Sequence, residues 1–208
     1  MVNQKKIIQE IEKSSRLFLH EPSFCMKLLP NNKYRSVGGN TSKAINNNKN
    51  AREEIKVIRF FKEYWLFIEV TFNAHGKNIC TSFSLSMFHG DSEDNVKSQL
   101  FRAEWDSYAD NLLHPQPHWH FYSDELAETV VTSFCDLIDE DRSDFLDLLK
   151  DEQLRKPKIS KIHFAMSAFW KNDLNGHIHF IEDDCELISW YNGLLNHLST
   201  QLQYFNNK

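Results

Sequence analysis

Residues 79–88 alternate well. Ile79, Phe83, Leu85 and Met87 take one parity, and Cys80, Ser82, Ser84 and Ser86 the other. A period of two with one apolar and one polar side marks a strand lying on a core. Two later segments repeat it. Phe101, Ala103 and Trp105 interleave with Arg102, Glu104 and Asp106, and Trp119 and Phe121 interleave with His118 and His120. Residues 54–73, dense in Ile, Val, Phe and Trp, predict one long bent strand or two short ones. Turn-forming runs at 73–78 and 90–95 separate these segments. The pattern predicts an antiparallel meander of four or five strands over 54–123.

Helical spacing appears at both ends. Ile7, Ile8, Ile11 and Phe18 form one stripe of a helix over 3–19. Asp183 followed by Glu186 has the spacing of a capping box, with Asp in place of Ser or Thr. Leu187, Trp190, Tyr191, Leu194, Leu195, Leu198, Leu202 and Phe205 then continue one apolar stripe, which predicts a C-terminal helix over 183–206. A helix of roughly 22 residues spans about 33 Å at 1.5 Å per residue, enough to cross a sheet. Helical spacing also runs through 124–138, where Thr129-Val130-Val131-Thr132 fits a strand as well, and Ser143 can cap a short helix after it. Residues 159–170 fit strand or helix. With the turn at 172–176 and the strand-like 177–181, they are read as a later hairpin. Residues 28–52, rich in Asn, Gly and Lys, read as a flexible polar loop. The expected fold is α+β: one domain over 1–208, with an antiparallel sheet packed on an N-terminal helix and a long C-terminal helix.

Composition narrows the function classes. The 208 residues are 41% hydrophobic and 25% charged, with a net charge of −5, as expected of a globular domain. Nucleic acid is not indicated by net charge, although a local basic groove stays open. The four Cys residues are far apart, which fits free thiols in a reducing compartment. No signal peptide or transmembrane span is read, so a cytoplasmic protein without a membrane partner is expected. P-loop, GxGxxG, GxSxG and HExxH patterns are missing, so no nucleotide cofactor is expected.

The candidate chemistry lies in 102–120. If its two arms pair antiparallel with Asp106 opposite His118, Glu104 faces His120, and Arg102 joins the same face. Imidazoles and carboxylates on one face suit a divalent metal such as zinc or manganese, which lowers the pKa of bound water and drives hydrolysis. In that reading Asp106, His118 and His120 are ligands, Glu104 is the base or a fourth ligand, and Arg102 clamps an anionic group, a phosphate above all. His114, His163, His177 and His179 are further candidates should the later hairpin approach. Against this, the wet face of an antiparallel strand carries such residues with no function at all. The expectation is a metal-dependent hydrolase of a phosphate-containing substrate, with the look of a bacterial mobile or defence gene-cluster protein. The alternative is a non-enzymatic interaction protein. It would use the acidic 136–152 segment to meet a protein partner, or the basic 28–52 loop to meet phosphate or acid.

Overall fold

The computed structural model describes residues 3–48, 51–76, 78–94, 97–107, 117–122 and 181–206. All of these but Phe121 and Tyr122 belong to one compact unit. Helix α1 runs over Gln4–Leu19 and helix α2 over Asp184–Asn206. Between them lie β1 (Cys25–Leu29), β2 (Lys33–Val37), β3 (Thr41–Asn48), β4 (Ala51–Phe61), β5 (Tyr64–His75), β6 (Asn78–His89), β7 (Ser98–Asp106) and β8 (His118–Phe121). The architecture is the α+β one expected, with an eight-stranded antiparallel sheet where the sequence pattern predicts four or five strands and a later hairpin.

The sheet runs β1-β2-β5-β6-β7-β8. β5 is long enough to hold two partners along one edge: Glu69–Thr71 pair with β2, and Tyr64–Leu66 pair with β4. β4 continues past that contact and pairs with β3, so the β3–β4 hairpin folds over one side of the sheet. On the opposite side the cross-strand rows are apolar: Leu66–Met87–Phe101, Ile68–Leu85–Ala103 and Val70–Phe83–Trp105. Helix α2 packs there, with Trp190 and Tyr191 against the Phe83 ring at 5.4 and 5.2 Å between centroids. It is tied to α1 by a 2.6 Å hydrogen bond between the Ser15 and Tyr191 hydroxyls.

Both helices begin as their sequences dictate. Asn3 caps α1 by accepting from the Lys6 amide. Asp183 Oδ1 accepts from the amides of Cys185 and Glu186 at 2.7 and 2.9 Å, while the Glu186 carboxylate reaches back to the Glu182 amide. The capping box is present, shifted by one residue on its return arm. The α2 stripe is buried from Leu187 to Leu202, apart from half-buried Trp190. No helix among the described residues is long and apolar enough to cross a membrane.

The segment 28–52 is the main correction. It holds the end of β1, all of β2 and β3, and the start of β4. Its Asn31 and Asn32, both at positive φ, make the tight β1–β2 turn that such residues favour. Its polarity has partners: Arg35 bonds Glu53 and Glu69, Lys33 lies 3.3 Å from Glu69, and Lys43 lies 3.1 Å from Glu54. Polar strands look like loop when their ionic partners are distant in sequence. The expected helix over 124–138, the short helix after Ser143, the acidic segment 136–152 and the hairpin beginning at 159 lie outside the described residues.

Candidate metal centre

The side of the sheet under the β3–β4 hairpin changes character along its strands. At one end Trp65, Phe67 and Phe88 meet Ala44, Ile55 and Val57 of the hairpin in an apolar cluster. Next come buried amides and hydroxyls. Gln99 donates to Asn46 Oδ1 and to Ser86 Oγ and accepts from the Asn47 amide, and Ser86 donates to the same Asn46 oxygen. Beyond them the rows are Glu69–Ser84–Glu104 and Thr71–Ser82–Asp106. They floor an open cleft of about 250 Å³, lined also by Asn48, His118 and His120.

β8 is hydrogen-bonded to β7. Trp119 stacks edge-on against Phe101 at 4.9 Å on the apolar side. By alternation His118 and His120 therefore point to the polar side. Glu104 Oε2 lies 2.9 Å from His120 Nε2 and 3.4 Å from His118 Nε2, and the two imidazole nitrogens are 2.9 Å apart. These three residues are the one group among the described residues whose donor atoms converge as metal ligands would. The circle through the three atoms has a radius of about 1.8 Å, inside the zinc–donor distance of ~2.0–2.1 Å. Glu104, His118 and His120 could therefore hold a divalent ion between them.

Glu104 is held from behind. Arg102 is only 2% exposed. Its Nη2 donates to Glu104 Oε2 at 3.1 Å, its Nε lies 2.7 Å from Oε1, and its Nη1 donates to the Asn47 carbonyl at 2.8 Å. Burial alone would push the Glu104 carboxyl up. Hydrogen bonds from His118 and His120, with the Arg102 charge, outweigh it and hold the group well below the usual carboxylate range.

The hairpin arms thus bring together Arg102, Glu104, His118 and His120, with Asp106 lining the same cleft. The geometry bears on two of the expected roles without testing them. Glu104, not Asp106, completes the triangle with the imidazoles. Arg102 faces Glu104 from within the protein, so it cannot act as a solvent-facing anion clamp without breaking that pair. His114, His163, His177 and His179 lie outside the described residues. Sequence reasoning missed Glu69, Thr71 and Asn48 as cleft walls. Glu69 left a signal, being the lone acid in the apolar run Tyr64–Phe72. Compared with known proteins, the chain matches no family, no curated protein and no solved structure.

Proposed function

We propose that this protein is a metal-dependent hydrolase whose ion is held by Glu104, His118 and His120. The observation that carries it is the 2.9–3.4 Å triangle of one carboxylate oxygen and two imidazole nitrogens opening onto a cleft. Two imidazoles, one carboxylate and an open position form a donor set of hydrolytic zinc sites, and a divalent ion there would supply an activated water. Asp106, two positions along the same strand face, is placed to take up a proton from it. Arg102 then serves as a positioning residue that fixes Glu104. A phosphate-containing substrate would have to draw its positive charge from the ion itself, because the Arg102 guanidinium is occupied.

The experiment is metal analysis of protein purified without a His tag, followed by zinc and manganese titration. About one equivalent of bound metal and a rise in melting temperature are expected, because a ligand that binds only the folded chain stabilises it. Both should disappear in the His118→Ala/His120→Ala variant. Less than about a tenth of an equivalent, with no thermal shift at ~100 Kd-equivalent excess, sinks the proposal and leaves a hydrogen-bonded polar patch. The interaction-protein alternative would have to use a basic segment in which Lys33, Arg35 and Lys43 each already face a carboxylate.

A further inference from the structure

We infer that the cleft beside Glu104, His118 and His120 takes a neutral, hydroxyl-rich small molecule of about one sugar ring, and that this, rather than a phosphorylated compound, is the substrate class. The inference deepens the hydrolase proposal and rests on it for the reaction, though not for binding. Three observations carry it. First, the walls offer unused hydrogen-bonding groups. The side chains of Asn48, Thr71, Ser82 and Ser84 line the cleft half-buried, and none makes a hydrogen bond among the described residues. Half-buried polar groups without protein partners are satisfied by water or by a ligand. Their alternation on β5 and β6 sets the Thr71, Ser82 and Ser84 hydroxyls in one patch, the kind of surface that a polyol's donors and acceptors match.

Second, the described lining of the cleft carries no fixed positive charge. Among the described residues lining it there is no lysine or arginine, whereas Glu69, Glu104 and Asp106 all border it. Away from the ion, a phosphate would meet no counter-charge among the described lining residues. A cation is not favoured either, because Glu69 is already matched by Arg35 and Lys33, and Glu104 by Arg102. The adjoining hollow shares Asn48 and Glu69 and contains Lys33 and Arg35, but both cations are engaged. Arg35 bonds both Glu53 oxygens as well as Glu69. Third, at about 250 Å³ the space lies just below the range of ligand pockets, which begins at roughly 300 Å³. That suits a ligand part of about one ring within the cleft.

The test pairs each neutral probe with its phosphorylated counterpart. D-glucose, N-acetyl-D-glucosamine and D-ribose are compared with glucose 6-phosphate, N-acetylglucosamine 6-phosphate, ribose 5-phosphate and inorganic phosphate, on zinc-loaded and metal-free full-length protein. Thermal shift and backbone amide NMR perturbation are the readouts. At least one neutral probe should bind with perturbations at Thr71, Ser82 and Ser84, about tenfold more tightly than its phosphate. Ser82→Ala/Ser84→Ala should weaken it about tenfold while zinc affinity stays unchanged. The inference is overturned if the phosphorylated members bind as well or better, if no neutral probe binds, or if the serine variant binds sugar like the parent. Zinc binding without sugar binding removes this inference alone. Sugar binding without zinc binding removes the hydrolase proposal alone.

Discussion

The two sides of strands β5, β6 and β7 share one backbone and obey opposite rules. Toward the helices, each cross-strand row is filled by apolar side chains and closed over by α2. Toward the β3–β4 hairpin, a shift of one residue gives Phe67–Ser86–Arg102, Glu69–Ser84–Glu104 and Thr71–Ser82–Asp106. The first side stabilises by removing apolar area from water. On the second, desolvated polar groups must be matched one by one, and matching stops at the cleft. The apolar core and the polar cleft are therefore built from alternate residues of the same strands. A substitution should reveal which side it belongs to by what it damages.

The largest effect should come where the polar side is buried. Arg102→Ala removes the guanidinium from Glu104 and from the Asn47 carbonyl. Breaking a buried pair from one end costs about 3–5 kcal/mol, measurable as a fall in the urea midpoint. Zinc should restore part of the loss by giving Glu104 a new counter-charge. The sign with pH follows from the lowered Glu104 pKa. Its pairing stabilises above the unfolded-state value of ~4.3 and is lost as pH falls through the folded value. The gap between parent and variant should therefore narrow in acid. A gap that widens below about pH 4, or one indifferent to zinc, would break the assignment of Arg102 as the holder of Glu104.

On the apolar side, Leu85→Ala should cost about 2–5 kcal/mol, since Leu85 is wholly buried between Ile68 and Ala103. Zinc affinity measured on the folded fraction should not change. A fall in affinity would show that the two sides are mechanically coupled. Tyr191→Phe should cost about 1 kcal/mol for its hydrogen bond to Ser15. Burial raises the Tyr191 pKa, so the unfolded chain releases this proton above about pH 10 while the folded chain keeps it. Parent stability should decline as pH rises past that point, and the phenylalanine variant should decline less. Smallest of all, Ser84→Ala should stay within about 0.5 kcal/mol, for its hydroxyl has no partner among the described residues. A larger loss would mean that the cleft wall is part of the scaffold.

The apolar side is legible in the amino-acid sequence, because alternation needs only the residue itself. Phe83, Leu85, Met87, Phe101, Ala103 and Trp105 all lie where parity places them, whereas Ile79, at the start of β6, is exposed and Cys80 beside it is buried. Polar strands carry no such mark. β3 ends in Asn46-Asn47-Asn48, which reads as a turn until Gln99 and Ser86, some fifty and forty residues away in sequence, satisfy Asn46 and the Asn47 amide. β4 opens with Ala51-Arg52-Glu53-Glu54, and its place in the sheet depends on the hairpin with β3 and on Arg35 meeting Glu53. The candidate site is half legible for the same reason. Parity alone gathers Arg102, Glu104, Asp106, His118 and His120 on one side. Which carboxylate meets the imidazoles, and that Arg102 faces inward, depend on how β8 and β3 are set against β7.

The three converging donors straddle a chain reversal, with Glu104 before the β7–β8 connection and His118 and His120 after it. An ion held by all three would therefore act as a reversible cross-link. By the loop-closure estimate, tying off about 15 residues removes denatured-state entropy worth about 3 kcal/mol. A disulfide would make that constraint permanent. Here the ion's supply would decide it, so withdrawing the ion with a chelator would lift the constraint and disperse the three donors in the same event.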